Sequence, residues 1–131
     1  MSNGSSTLEV GKRLVELCRQ GKNVEAVNTL YAPDIVSVEV MSGPQMPART
    51  SGIDAIRKKN QWWTDTHEVH ASDIKGPYPH GDRFIVWMSY DVTAKEGPMA
   101  NKRMHLEETG LYTVKNGKIV QEEFFYDMSG M

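Results

Sequence analysis

The chain has 131 residues and a mass of 14.8 kDa; 39% of its residues are hydrophobic and 24% charged, the make-up of one globular domain. A formal net charge of −2 and a pI near 6.1 exclude the basic footprint expected of a partner for nucleic acid or an anionic membrane surface. The single cysteine, Cys18, excludes an internal disulfide and suits a reducing compartment, hence the cytoplasm, and no apolar run approaches the ~20 residues of a membrane span.

Residues 1–6, polar and uncharged, read as a frayed leader, and residues 7–131 as a single domain. Ser6-Thr7-Leu8-Glu9 has the form of a capping box opening a helix, with Val10, Leu14, Leu17 and Cys18 on one stripe and Gly21 at its end. A thiol on that stripe is an inert core group rather than a nucleophile. Asn23 is expected to cap a second helix carrying Val24, Val27, Leu30 and Tyr31 on one side, and Pro33 to stop it. Ile35–Val40, IVSVEV, is β-branched and alternating, hence a strand. Ser42 to Thr50, with Pro44 and Pro47, is expected as a loop. Ser51, with Asp54 three residues on, starts a third helix, GIDAIRKKNQWW, which buries Ile53, Ile56 and Trp63. Its basic run Arg57-Lys58-Lys59 reads as a solvated face. Four strands follow, His67–Ile74, Arg83–Thr93, Arg103–Val114 and Ile119–Tyr126, turned at GPYPHGD, AKEGPMAN and Asn116-Gly117. Helices gathered early and antiparallel strands late predict an α+β fold with helices on one face of a curved sheet.

Neighbouring side chains of a strand face opposite ways, so alternation predicts which groups look inward. In Arg83–Thr93 the larger apolar set is Phe84, Val86, Met88, Tyr90 and Val92. In Arg103–Val114 the apolar face carries Met104, Leu106, Glu108, Gly110, Tyr112 and Val114, which puts Glu108 inside and Glu107 outside. The last hairpin has two registers. A two-residue turn at Asn116-Gly117 pairs Lys115 with Lys118 and turns Glu123 and Phe125 inward; a Gly117 bulge pairs Val114 with Lys118 and turns Val120, Glu122, Phe124 and Tyr126 inward. The bulge is preferred because it groups the apolar residues. On the first strand, residue pattern alone prefers Val36, Val38 and Val40 inside over Glu39. His67 and His70 are three apart on a strand and point to opposite faces, so the pair is not a metal motif, and no glycine-rich segment has phosphate-loop spacing. No metal and no cofactor is expected.

The element order, the GxxAI pattern opening the third helix and the closing YTVKNGKIVQEEFFYD together resemble the SnoaL-like group of the nuclear-transport-factor-2-like superfamily. The resemblance runs from about Leu8 to Met128 and is most specific in the aromatic-rich last hairpin. It implies a cone-shaped α+β barrel with an apolar pocket at the wide end, and a homodimer formed through the sheet. Ketosteroid isomerases, polyketide cyclases, epoxide hydrolases and non-catalytic binders share this fold, so fold alone does not fix reaction.

By this resemblance Glu39 falls where ketosteroid isomerases carry their catalytic base, which places it toward the pocket mouth, and pocket residues fall at the parity that turns Glu122 inward. Polyketide cyclases carry an aspartate on the last strand, where this chain has Glu122-Glu123-Phe124. Leu14 and Gly110 stand where the isomerases place their oxyanion donors, and the Asp-Arg-Asp relay of epoxide hydrolases has no counterpart. The expected site is therefore Glu39, Glu108 and Glu122 as catalytic carboxylates, walled by Trp63, Phe84, Met88, Tyr90, Tyr112, Phe124, Tyr126 and His70. Carboxylates buried together have their pKa values pushed up and apart, so one keeps a proton while another acts as base. The function expected is binding of a small apolar organic molecule, with cofactor-free isomerisation or cyclisation next to a carbonyl. Lyase or hydrolase chemistry, and a non-catalytic binding or association module, stay open as alternatives.

Overall fold

The computed structural model describes residues 3–43 and 47–127; Met1, Ser2, Pro44 and Met128, on which parts of the readings above fall, lie outside the described residues. Helix α1, Asn3–Arg19, begins before the expected cap, so Ser6 lies within the helix and the capping box does not mark its start. Val10, Leu14, Val15 and Leu17 turn to the core as their spacing requires. Helix α2, Asn23–Leu30, buries Ala26 and Val27, follows Lys22 without a side-chain cap, and leaves Val24 exposed.

Tyr31 leaves the helical stripe and opens strand β1, Tyr31–Val38. Pro33 does not end an element there: it sits where pairing to the last strand is interrupted between Tyr31 and Val36, so its missing N–H removes no ladder bond. Arg49 and Thr50, expected as loop, and Ser51, expected to start the third helix, form a short strand β2, Arg49–Ser51, paired with Val36–Val38. Helix α3, Ile53–Thr66, follows Gly52 at φ 91 rather than a side-chain cap. Strand β3, His67–His80, runs on through the segment expected to turn, with breaks in register at 69–71 and 75–78, and the turn comes at Gly81-Asp82. Strands β4, Arg83–Ala94, β5, Arg103–Lys115, and β6, Lys118–Phe125, complete the sheet.

The six strands lie in the order β2-β1-β6-β5-β4-β3, antiparallel throughout except for the parallel pair β1 and β6. Three helices cover one face of this curved, mostly antiparallel sheet, the α+β architecture expected from the element order. Leu14, Leu17, Ile35, Ile56, Phe84, Val86 and Ile119 fill the space between helices and sheet. Gly110 is required in that layer, because a Cβ there would lie 2.7 Å from the Tyr112 ring. No helix among the described residues is long and apolar enough to cross a membrane.

Candidate functional site

The last hairpin decides which glutamate is buried, and it does so by a route neither expected register contained. Lys115 faces Lys118 across a two-residue turn, with Asn116 at φ 52 and Gly117 at φ 76, the left-handed pair such a turn demands. Continued regularly, that turn would bury Glu123. One step on, however, Val114 pairs with Ile119 and Thr113 with Gln121, leaving Val120 as an extra residue, and the parity reverses. The expected Val114–Lys118 pair and the inward Val120 are therefore corrected: Ile119 takes the buried position. Glu122 pairs with Tyr112 and is 3% exposed, whereas Glu123 pairs with Leu111.

Strand β1 presents Ile35 and Ser37, both 0% exposed, to the interior, so the face it shares with Glu39 is the inner one and the valines lie opposite. Across the inner face Thr50, Ser37, Glu122, Tyr112 and Phe84 are successive register partners. Lys59 reaches this row from α3. Its Nζ donates to Glu39 Oε2 at 2.7 Å and to Ser37 Oγ at 2.9 Å, with the Lys59 and Glu39 side chains only 11% and 8% exposed. The Lys59 ammonium also lies 5.4 Å from the Phe124 ring centre. Lys59 is thus no part of a solvated face; it follows Ile56 by three residues and precedes Trp63 by four, a helical stripe that the neighbouring basic residues concealed. Tyr126 Oη donates to Glu39 Oε1 at 2.9 Å, and the Tyr31 hydroxyl donates to Glu122 Oε1. Ser37 is the register partner of Glu122, so a row of polar groups runs Tyr31, Glu122, Ser37, Lys59, Glu39, Tyr126.

Glu108 stands apart from that row. It lies on the inner face opposite Met88 and makes no hydrogen bond or ion pair with any described residue, while Glu107 on the outer face accepts one from Trp87 Nε1 at 3.1 Å. Burial, and then the negative charge of Glu39, push Glu108 up to about 7, against an opposing pull from Lys59 and a further push from Glu122. Burial also raises Glu122, although Tyr31, Lys59 and Ser37 favour its charged form. The hydroxyls of Tyr31, Tyr90, Tyr112 and Tyr126 are all pushed up, chiefly by burial, so they remain proton donors at neutral pH. Cys18 is raised to about 11 by burial and then by Glu122, which keeps it a thiol.

The expected aromatic wall divides. Phe84, Met88 and Tyr112 are core residues beneath the site, Phe84 stacked on Tyr112 at 5.1 Å, and offer a ligand little surface. Trp63 stacks on His67 at 4.5 Å and stands 5.9 Å from Tyr90, and with Phe124 and Tyr126 these line the partly buried rim. His70 does not join them. It sits in the β3 register break, exposed, with Nε2 2.7 Å from the Thr93 hydroxyl, because the extra residue turns it outward. Tyr31 and Lys59, missed in the sequence, belong to the site. Surface hollows of about 430 and 270 Å³ lie beside α1 and between α2 and α3; neither is lined by Glu39, Glu108 or Glu122. Among the described residues no group of three or more His, Cys, Asp or Glu is placed to hold a metal ion.

Three helices on this six-stranded curved sheet form the fold of cystatin-like, NTF2-like and ketosteroid isomerase-like proteins. The sequence model of the SnoaL-like domain matches residues 5–126, and the chain belongs to that family. A candidate SnoaL-like polyketide cyclase of Mesorhizobium loti is 45% identical, with 90% of this chain and 97% of that one covered and a TM-score of 0.83. An NTF2-like protein of Burkholderia thailandensis has 19% identity over 92% and 90% of the two chains at a TM-score of 0.75. A protein of ketosteroid isomerase-like fold from Catenulispora acidiphila, solved in complex with trimethylamine, has 22% identity over 86% and 82% at a TM-score of 0.65. At these lower identities the likeness is one of fold. Among curated proteins none matches this chain.

Proposed function

We propose that the protein binds a small, mostly apolar organic molecule and moves a proton next to its carbonyl group without a cofactor, as an isomerase or cyclase. One observation carries the reading: Glu108 is an inward, partly buried carboxyl with no hydrogen-bond or ion-pair partner among the described residues, raised to about 7 chiefly by desolvation. A base held near the working pH, and not spent on a salt bridge, is what proton abstraction needs. Glu122, raised by burial, lies on the neighbouring strand, and Glu39, paired with Lys59 and Tyr126, sets the local charge. Trp63, Tyr90, Phe124 and Tyr126 flank the apolar body of the ligand. The trimethylamine of the Catenulispora protein is support from a shared fold for a small organic ligand.

The exposed Tyr78, Ile85 and Phe125 on the outer sheet face support a homodimer through the sheet. They also favour a second reading, an association module whose pocket is not catalytic. Residues 7–131 act as one domain, and the lone Cys18 suits the cytoplasm.

Exchange of the acidic α-hydrogens of β-tetralone in deuterium oxide, followed by proton NMR, tests the catalytic reading. Wild-type protein is expected to accelerate exchange, and Glu108→Gln to remove about 100-fold or more of that acceleration. A wild-type rate equal to buffer, or one that survives Glu108→Gln, favours the non-catalytic module.

A further inference from the structure

The ammonium of Lys59 carries three N–H donors, and two are used, on Glu39 and Ser37. The third has no oxygen or nitrogen acceptor among the described residues, only the Phe124 ring within 5.4 Å. A buried charged donor left unfilled is costly, and it points to an acceptor that arrives from outside. A second vacancy lies in the same row. The Thr50 hydroxyl, 7% exposed and the register partner of Ser37, has no hydrogen-bond partner among the described residues. The inner face thus holds two unfilled donors on one side and an unpartnered carboxylate, Glu108, on the other.

We infer that Lys59, with Thr50 beside it, is the oxyanion-binding group of the site, and that the substrate is a carbonyl compound whose enolate oxygen docks on the Lys59 ammonium. The inference rests on Glu108 as base. Leu14 and Gly110 furnish no oxyanion donor, and Lys59 is the charged donor of the site where otherwise only neutral tyrosine hydroxyls would face the negative charge on oxygen. In the step itself the Glu108 carboxylate takes a proton from the carbon beside the carbonyl, and the C–H pair becomes the new C=C bond. The carbonyl π pair moves to oxygen, where Lys59 holds it. Return of the proton from the Glu108 carboxylic acid to the same or a conjugated carbon restores the carbonyl, with no net oxidation. The ion pair with Glu39 fixes the position of the Lys59 Nζ, which suits it to receive an oxyanion.

Dinitrophenolate, a planar delocalised oxyanion on an apolar ring, serves as the probe, with binding read from its absorbance at about pH 6, where Glu108 keeps its proton. Wild-type protein is expected to bind it. Lys59→Met alone strands Glu39, so the Lys59→Met/Glu39→Gln double variant is measured too, with circular dichroism confirming the fold. Both are expected to bind about 10- to 100-fold more weakly, and Lys59→Arg to recover part of the loss. Equal affinity in wild type and double variant, or no binding by wild type, overturns the assignment. The β-tetralone exchange separates the two ideas: exchange that depends on Glu108 while the probe ignores Lys59 removes Lys59 alone, and absent exchange removes the base.

Discussion

Replacing Lys59 by methionine is expected to lower stability by on the order of 3 kcal/mol, because it leaves the Glu39 carboxylate buried and unpaired. The cost comes from the stranded partner more than from the lost bond, so Glu39→Gln in the same chain is expected to restore most of it. Lys59 bonds both Glu39 and Ser37, and Ser37 lies beside Glu122 in the sheet, so the single substitution also loosens the row that holds the deepest carboxyl. Urea unfolding of wild type, the two single variants and the double variant forms the cycle that reads this coupling. Four proteins of equal stability would show that the pair is solvated and that α3 contributes no charge to the interior.

The second large effect is on pH. Glu108 is raised from 4.5 to about 7 in the folded chain, and Glu122 is raised as well, so between these limits the folded protein binds more protons than the unfolded one. The stability they contribute is complete below about pH 4.5 and is lost as pH rises through about 7. For Glu108 the change is on the order of 3 kcal/mol. Glu108→Gln cannot lose a proton, so its stability is expected to fall much less over the same window, a difference that thermal unfolding in a pH series records. Asp91, held low by its bond to the exposed Arg103, acts in the opposite sense and only in more acidic solution. A wild-type protein that gains stability steadily from pH 5 to 8 would mean that the interior carboxyls are charged and satisfied.

Much of this arrangement was legible in the sequence. Strict alternation on β4 and β5 placed Phe84, Val86, Met88, Glu108 and Tyr112 on one face, because long central strands keep their register. Single-residue irregularities were not legible. The extra residue Val120 reverses the parity of β6, and the break near His70 turns that side chain outward; neither leaves a mark in composition. Glu122 was placed inside on the wrong turn, since the slip occurs inside the strand and not at Gly117. Tyr31 was hidden by its helical spacing to Val27, although Pro33 proved to be a strand residue beside it. Lys59 was hidden by company: Arg57 and Lys58 are exposed, and only the stripe from Ile56 to Trp63 separates it from them. The short β2 strand is defined by its pairing to β1 rather than by any pattern of its own.

The claim on which the rest depends is that Glu108 is a partly buried carboxyl, without a partner among the described residues, able to exchange its proton near neutrality. Glutamate labelled with ¹³C at the side-chain carboxyl, followed by NMR from pH 4 to 9 and assigned through Glu108→Gln, measures this directly. One resonance, absent from the variant, is expected to titrate near 7. Titration of that resonance near the ordinary 4.5 would contradict the account.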